Sequence, residues 1–339
     1  MEKNNFDFSI IICTHNPEID IIKRCLSAVR DLARNKISAE VIVVENNCSF
    51  SLNDLPELKS IIEVIEHVKI IEESKPGLSN ARIAGFNASV GKWLLFFDDD
   101  NEPDPNYLIN LTKLINEIPY VGIWGPGNVT VDFLGTPEKW VKENCLEVFQ
   151  EKHFDKTEFA LQQKWNTCYP PGTGMAVCRT VFEKYSFIYT SRKIKTTDRT
   201  GSSLISAGDN QIVYSAIMLN FPIGTSPKLS VSHLISEKKS NFNYVKRLRF
   251  FVRYSVPFAE IEFYPEEAVA YQKKIISQFA LFILLMKYLV KGVLKFKTKE
   301  AIINCVLVTG SYTGINYALK KKDPFWLLIF LKLMGIQIK

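Results

Sequence analysis

The stretch Lys92-Trp-Leu-Leu-Phe-Phe-Asp-Asp-Asp100 decides the fold prediction, because an apolar run ends abruptly in three consecutive carboxylates. An apolar run of this length that follows a glycine is typical of a buried strand. Carboxylates at the end of such a strand are unfavourable unless a cation holds them. The stretch therefore predicts a strand that ends in an acidic site. An Asp-rich, solvated loop is the alternative when the three aspartates are considered alone.

Three apolar runs upstream predict neighbouring strands, and they are Phe8–Thr14, Glu40–Glu45 and Val68–Glu72. Apolar residues at helical spacing follow the first run, and a helix over residues 79–89 with Ser79 as its N-cap precedes the run at Trp93. Alternating strands and helices indicate an α/β fold with a mostly parallel sheet. In such sheets ligands bind outside the carboxyl ends of the strands. The first two runs and the acidic stretch all end in polar residues there.

Downstream of the acidic stretch the pattern is less regular. Residues 121–124 and 174–178 read as strands, and a helix is predicted over residues 209–219. From Ser236 to the end the chain has 18 Lys and Arg against 7 Asp and Glu, so this part is basic, whereas the preceding part is acidic. We therefore place a domain boundary between a catalytic domain, 1–235, and a helical, basic C-terminal region, 236–339.

Several functional classes lack their sequence signatures. No G-x-G-x-x-G follows the first strand, and the stretch from Gly85 to Lys92 is one residue too long for a phosphate-binding loop. Signatures of helix-turn-helix and RNA-binding domains are missing too, so no nucleic-acid partner is expected. The seven cysteines contain no C-x-x-C pair, which indicates a reducing compartment. Because the first residues also lack a signal-peptide pattern, we expect a cytoplasmic protein.

Four segments resemble, in order and spacing, the motifs of family 2 glycosyltransferases with the GT-A fold, a Rossmann-like nucleotide-diphospho-sugar transferase architecture. They are Ser9–Asn16, Val41–Glu45, Gly77–Arg82 and Leu94–Asp100, and the resemblance extends over about residues 8–235. It implies a nucleotide-sugar donor, with a UDP-sugar favoured, and Mn²⁺ or Mg²⁺ as cofactor. Transfer of a glycosyl group to an acceptor hydroxyl is the implied reaction. Carboxylate oxygens are the ligands that such hard cations prefer.

The resemblance also implies a set of donor-binding residues. Thr14 and Glu45 would lie along the nucleoside, although the family usually has Asp where Glu45 stands. Asn80 and Arg82 match positions near the donor, and a guanidinium is well suited to phosphate. Asp98 matches the nucleoside-facing residue of an Asp-x-Asp motif. For Arg82 alone, an ordinary arginine on a helix surface is the alternative.

The remaining implied site residues are the metal ligands and the base. Asp100 matches the metal ligand, and His233 stands where some relatives have a histidine that assists the metal or the diphosphate. A lone histidine between apolar residues is otherwise structural. Asp209 is the candidate catalytic base, although the family usually has a second acid at the position of Gly208. A helix N-cap is the alternative role for Asp209.

In the C-terminal region, Lys287, Lys291 and Lys295 form a basic stripe at helical spacing beside an apolar arc. The apolar runs are too short and too interrupted for a spanning helix, which needs about 20 apolar residues. Such a pattern is typical of a helix lying on an anionic membrane surface. A helical cap on the catalytic domain, or a homodimer interface, explains it equally well.

Together these observations predict a metal-dependent, inverting glycosyltransferase that transfers one sugar. The predicted acceptor is a lipid-linked glycan of bacterial surface polysaccharide biosynthesis. The enzyme would then be peripheral on the inner face of the cell membrane. No Q-x-x-R-W motif of processive enzymes occurs, so single transfer is favoured. A transferase acting on a soluble or protein acceptor is one alternative. A noncatalytic nucleotide-sugar-binding or membrane-scaffold protein with a decayed site is another, because the first acid before Asp209 is missing.

Overall fold

The computed structural model of the chain describes residues 6–191, 198–199 and 204–338. Within these ranges ten strands form one sheet, and they are β1 (Phe8–Thr14), β2 (Ala39–Asn46), β3 (Val68–Glu73), β4 (Trp93–Asp98), β5 (Asn101–Pro103), β6 (Ile123–Leu134), β7 (Lys152–His153), β8 (Glu158–Ala160), β9 (Met175–Cys178) and β10 (Ile223–Ser236).

The helices of the described residues fall into two groups. Those that accompany the sheet are α1 (Ile19–Arg30), α2 (Pro56–Ile62), α3 (Leu78–Ala88), α4 (Tyr107–Glu117), α5 (Lys139–Asn144), α6 (Arg179–Ser191) and α7 (Gly208–Met218). Those that follow the sheet are α8 (Phe242–Phe263), α9 (Glu267–Lys274), α10 (Gln278–Leu294), α11 (Thr298–Ala318) and α12 (Phe325–Leu333).

The strand order is β3-β2-β1-β4-β9-β6-β10-β5, with β7 beside β6 and β8 beside β10. The long ladders, β1 with β2 and β4, β2 with β3, and β6 with β10, are all parallel. The antiparallel ladders made by β5, β7, β8 and β9 are short. The predicted α/β fold with a largely parallel sheet and a helical C-terminal part is therefore confirmed.

The central strand shows why the early strands were predictable. All residues of β1 are buried, with Ile10 and Ile12 in the core on one face of the sheet and Ile11 and Cys13 in the core on the other. Helices α1 and α2 cover the first face, and α3 and α6 cover the second. A strand that is buried on both faces reads as a continuous apolar run.

One helix begins earlier than predicted. Gly77 is the N-cap of α3, with φ of +124°, so Ser79 lies inside the first turn and the prediction that it caps the helix is wrong. Glycine adopts this backbone conformation without the steric penalty that a side chain brings. The Gly77 N–H donates to Asn46 Oδ1 at 2.8 Å, which attaches the start of α3 to the end of β2.

The C-terminal helices pack closely on the sheet-bearing part. Gly310 and Gly314 of α11 lie against the backbone of Phe250 and Tyr254 in α8, where an added Cβ would approach carbonyl oxygens to 2.6 and 2.3 Å. Phe250 and Tyr254 in turn belong to the same hydrophobic core as Phe96 of β4. The division into 1–235 and 236–339 stays a prediction.

The helices also bear on the membrane prediction. Among the residues that the structure describes, no single helix is long and apolar enough to cross a membrane. Helices α9 and α10 satisfy length and composition only as a pair, which is bent by 64°.

Candidate active site

The parallel strands bring the predicted residues to one edge of the sheet. Thr14 lies opposite Glu45 in the ladder between β1 and β2, and Cys13 lies opposite Asp98 in the ladder between β1 and β4. On the far side of β4, the short strand β5 pairs Asn101 with His233 of β10. Residues that are distant in the sequence therefore meet around the three aspartates.

The acidic stretch turns as soon as β4 ends. Asp98 closes the strand, its N–H donates to Asn101 Oδ1 at 3.0 Å, and Asp99 and Asp100 form the turn before β5. The Thr14 hydroxyl donates to Asp99 Oδ2 at 2.6 Å. Burial, reinforced by the neighbouring Asp100, raises the pKa of Asp99 to about 6. Thr14 thus holds the turn in place from the end of β1.

Asp100 is buried and has a cationic partner. Lys239 donates to its Oδ2 at 2.8 Å, and Asn101 Nδ2 donates to its Oδ1 at 3.1 Å. Burial alone would raise the pKa of Asp100, but Lys239 and then His233 reverse this and hold it well below its usual value. Asp100 is therefore an anion that needs a cation beside it.

His233 presents one ring nitrogen to this carboxylate. Its Nδ1 donates to the Phe149 carbonyl at 2.8 Å, and its Nε2 lies 3.4 Å from Asp100 Oδ1. A histidine whose Nδ1–H is held by a carbonyl is oriented as metal-ligating histidines are, and here its Nε2 faces Asp100. The described residues contain no group of three or more His, Cys, Asp or Glu placed to hold a metal ion. Mg²⁺ and Mn²⁺ sites often have few protein ligands and complete them with phosphate and water. Asp100 and His233 therefore fit such an ion.

A second cluster lies beside the first and is built around a buried arginine. Arg82 Nη1 on α3 donates to Asp209 Oδ1 on α7 at 2.6 Å, and its Nη2 lies 3.9 Å from Asp98 Oδ1. Burial opposes the charge on Arg82, but Asp209 and Asp98 more than compensate and raise its pKa. Gly172 is required here, because an added Cβ would lie 2.4 Å from Arg82 Nη2. Arg82 is thus a buried counter-ion and not a surface arginine.

The capping alternative for Asp209 is wrong. Ala207 is the N-cap of α7, no side chain caps this helix, and Asp209 lies in its first turn. Its carboxylate instead pairs with Arg82 and lines a cavity of about 640 Å³. Asp100, His233 and Lys239 line the same cavity. The structure therefore places the candidate base and the candidate metal ligands around one space.

Asp198 is a site residue that sequence analysis missed. It is 1% exposed, and its Oδ2 accepts a hydrogen bond from the Gly208 N–H at 3.3 Å. A Cβ added to Gly208 would lie 2.7 Å from that oxygen, so the Asp198 carboxylate fills the space that a side chain at position 208 would enter. Among the described residues Asp198 Oδ1 has no hydrogen-bond partner. No periodicity or motif around Asp198 indicates this contact, because the chain folds back to make it.

Two predicted donor-binding residues have structural partners. Glu45 Oε1 accepts hydrogen bonds from the Leu52 N–H at 2.6 Å and from the Ser51 hydroxyl at 3.0 Å. Asn80 Nδ2 donates to the Pro76 carbonyl at 2.9 Å. Both residues are buried, Glu45 in β2 and Asn80 in α3, and neither is among the described residues that line the cavity. Their roles toward a donor stay predictions.

The cavity continues from the acidic edge onto α8, which forms its opposite wall. The α8 wall combines apolar and cationic side chains, namely Leu248, Val252, Val256, Arg249 and Arg253. Trp165 lines the cavity, is 46% exposed and packs edge-on against Tyr169. Trp124 is fully buried in the core. The space thus extends from carboxylates to an aromatic and partly apolar region.

Comparison with known proteins gives one family. The sequence profile of glycosyl transferase family 2 matches residues 9–186, just over half of the chain. Among curated proteins, polypeptide N-acetylgalactosaminyltransferase 8 of Drosophila melanogaster is 29% identical over 112 residues, covering 32% of this chain and 18% of that protein. A protein named putative glycosyltransferase EpsH, of Bacillus subtilis, is 23% identical over 167 residues, covering 48% of this chain and 46% of that protein.

Among solved structures, GalNAc-T7 with UDP, GalNAc and Mn²⁺ aligns with a TM-score of 0.48 and 15% sequence identity, covering 76% of this chain and 51% of that chain. S. aureus TarS aligns with a TM-score of 0.46 and 13% sequence identity, covering 79% of this chain and 42% of that chain. The matches to the two curated relatives span less than half of each relative's length.

Proposed function

The chain belongs to glycosyl transferase family 2 and is a glycosyltransferase, and on this premise we propose that it transfers one sugar from a UDP-sugar to an acceptor hydroxyl with inversion. One observation carries the proposal: the Asp209 carboxylate and the Asp100–His233 pair line the same cavity. A base on one side of the donor and an anion-neutralising site on the other are what an inverting transfer requires.

In the proposed reaction Asp209 accepts the proton of the attacking hydroxyl. Arg82 occupies its Oδ1, and no other described residue donates to this carboxylate, which leaves Oδ2 for the acceptor. Because Arg82 is buried and tied also toward Asp98, it fixes the orientation of the base. Precise placement of reacting groups contributes a large share of an enzyme's rate acceleration.

Asp100 and His233 are the residues we propose to hold Mn²⁺ or Mg²⁺. When bound, such an ion would stabilise the negative charge of the departing diphosphate. The Nδ1–H of His233 is held by a carbonyl, which leaves Nε2 turned toward the anionic Asp100. Burial lowers the pKa of His233, but Asp100 more than reverses this, so an ion at this place would have to replace the proton on Nε2. Asp98, at the end of β4, would face the nucleoside.

The decayed-site alternative rests on the missing acid at Gly208. In the structure Asp198 supplies a carboxylate to that space, and Arg82 and Asp209 form their pair beside it. A site without function has no reason to keep such a cluster of buried charges, because replacing a buried ion pair by apolar residues is often neutral or stabilising. We therefore favour the catalytic function over the scaffold.

We propose a lipid-linked glycan acceptor, in surface polysaccharide biosynthesis, because of the outer face of α10 and α12. Large apolar side chains on this face are exposed, namely Phe279, Phe282, Ile283, Val290, Val293, Phe325 and Leu333. Lys287 and Lys291 lie among them on α10 and are exposed too. Exposed apolar side chains interleaved with lysines complement an anionic lipid surface. If these helices served only as a cap on the catalytic domain, their apolar side chains would be buried by packing. A peripheral membrane position follows.

A thermal-shift screen of nucleotide sugars, with and without Mn²⁺, tests the donor and metal together. A ligand that binds only the folded state raises the melting temperature. We expect a UDP-sugar to raise the melting temperature of the parent only when Mn²⁺ is present. In Asp100→Ala we expect no Mn²⁺-dependent rise, although the variant should melt like the parent when no ligand is added. Metal-dependent stabilisation that persists in Asp100→Ala would remove Asp100 from the ligand set. A soluble or protein acceptor becomes the better proposal if the protein ignores anionic liposomes.

A further inference from the structure

Lys239 occupies the side of Asp100 that a metal ion would need. It ends the short helical turn that follows β10, six residues after His233, and its Nζ donates to Asp100 Oδ2 at 2.8 Å. The side chain is about one-third exposed and lines the cavity. Lys239 is thus a built-in cation at the acidic edge, and no sequence motif singled it out.

A lysine and a divalent cation cannot both occupy this place. Asp100 Oδ1 accepts a hydrogen bond from Asn101 and faces His233, whereas Oδ2 accepts one from Lys239. Lys239 would therefore have to release Oδ2 for a metal ion to bind there. Two cations at contact distance in a partly buried cavity repel each other strongly. When a metal ion binds Asp100, the ammonium group must therefore move.

The lysine side chain can move without the backbone following. Its four-carbon stem is flexible, whereas β10 is fixed beside the aspartates by the hydrogen bond from the Leu234 N–H to the Asp100 carbonyl at 2.8 Å. The diphosphate of a nucleotide sugar bound at this metal would be the nearest new anion. An ammonium that stays partly desolvated in the cavity then has a partner there.

We propose that Lys239 is a donor-binding residue that holds Asp100 in the free protein and transfers to the donor diphosphate when metal and donor bind. This inference rests on the proposed function. It makes an unusual double prediction: removal of the ammonium should strengthen binding of the metal alone and weaken binding of the nucleotide. A residue that only supported the fold would weaken both.

Lys238 provides a matched control. It precedes Lys239 in the same turn, but its side chain is 81% exposed and its Nζ lies 3.4 Å from Glu18 Oε1. Lys239→Met and Lys238→Met therefore remove the same charge from the same turn, and only the first removes it from Asp100. Lys239→Arg, which keeps the charge, is the second variant.

The test is calorimetric titration of the whole chain with Mn²⁺ alone and then with UDP at saturating Mn²⁺. For Lys239→Met we expect Mn²⁺ to bind about 5-fold tighter and UDP about 10-fold weaker, as the loss of one charge-assisted contact implies. Lys238→Met should stay within about 2-fold of the parent in both, and Lys239→Arg should keep most of the UDP affinity.

Equal behaviour of Lys239→Met and Lys238→Met in either titration would overturn the inference, as would weaker Mn²⁺ binding in a Lys239→Met protein that melts like the parent. A parent that binds neither Mn²⁺ nor UDP would count against the proposed function itself. The two failures are thus distinguishable.

Discussion

At the scale of single residues, the pair of Arg82 and Asp209 carries the catalytic proposal. Asp209→Asn keeps the shape of the side chain and an oxygen for Arg82, but it removes the base. We expect turnover to fall about 100- to 10,000-fold while donor affinity stays nearly unchanged. Asp20→Asn is the matched control, because Asp20 is an exposed aspartate in the first turn of another helix. Initial rates of UDP release measure the effect.

The same substitution should lower stability. Arg82 is buried, and once Asp209 is neutral its nearest remaining carboxylate oxygen among its ion pairs is that of Asp98 at 3.9 Å. Rates must therefore be compared well below the melting temperature of the variant. Turnover within a few-fold of the parent would show that Asp209 is only the counter-ion of Arg82.

Asp198 gives a prediction about pH. Burial, with Asp209 adding to it, raises the pKa of Asp198 from 3.8 to about 6. A carboxyl whose pKa is raised in the folded state contributes stability below pH 4, and this contribution is lost as the pH rises to about 6. Relative to Asp198→Asn, the parent should therefore lose about 3 kcal/mol of unfolding free energy across this window, at ~1.4 kcal/mol per pH unit.

Urea unfolding of both proteins between pH 4 and pH 7 measures this difference. Contributions of groups that do not interact with Asp198 cancel to first order, because the two chains differ at one position. Parallel dependences of the two unfolding free energies on pH would show that Asp198 titrates in the folded protein as in the unfolded chain.

At the scale of elements, the sequence was sufficient where a strand is buried on both faces. The predicted bounds of β1 match the structure, and those of β2, β3 and β4 differ by at most one residue at each end. Their polar ends could be assigned to one edge because parallel strands share a direction. The antiparallel strands β5, β7 and β8 are too short to leave a pattern, and β5 is what places His233 beside Asp100. The contacts of Lys239 and Asp198 follow from such returns of the chain and could not be predicted.

The packing of α11 on α8 allows a prediction at this scale. Gly314→Ala would place a Cβ 2.3 Å from the Tyr254 carbonyl, so the helices must separate. Overpacking of this kind typically costs about 1–3 kcal/mol. We expect a lower melting temperature, and Ser311→Ala, on the same helix and only partly buried, should melt within about 2 °C of the parent. Equal melting of the two variants would show that the glycine is not needed for close packing.

At the scale of the whole molecule, the exposed face of α10 and α12 predicts membrane binding. Each lysine near an anionic surface contributes about 1 kcal/mol. Changing Lys287, Lys291 and Lys295 to Glu should therefore abolish sedimentation with anionic liposomes at low salt. The apolar face is kept in this variant, and its circular dichroism should match that of the parent.

A second triple variant controls for net charge. Lys23, Lys59 and Lys113 lie on α1, α2 and α4, on the opposite side of the sheet. Their change to Glu alters the net charge by the same amount, and we expect it to leave sedimentation nearly unchanged. Equal losses in the two variants would mean that total charge, and not the α10 face, governs the interaction.

The central claim is that this cavity turns over a nucleotide sugar, and release of UDP from the UDP-sugar selected by the thermal-shift screen tests it most directly. The parent should release UDP slowly with Mn²⁺ even without an acceptor, should stop when EDTA is added, and should resume when Mn²⁺ is restored in excess. Binding of the UDP-sugar with no release of UDP under any of these conditions would contradict the claim and leave a nucleotide-sugar-binding protein.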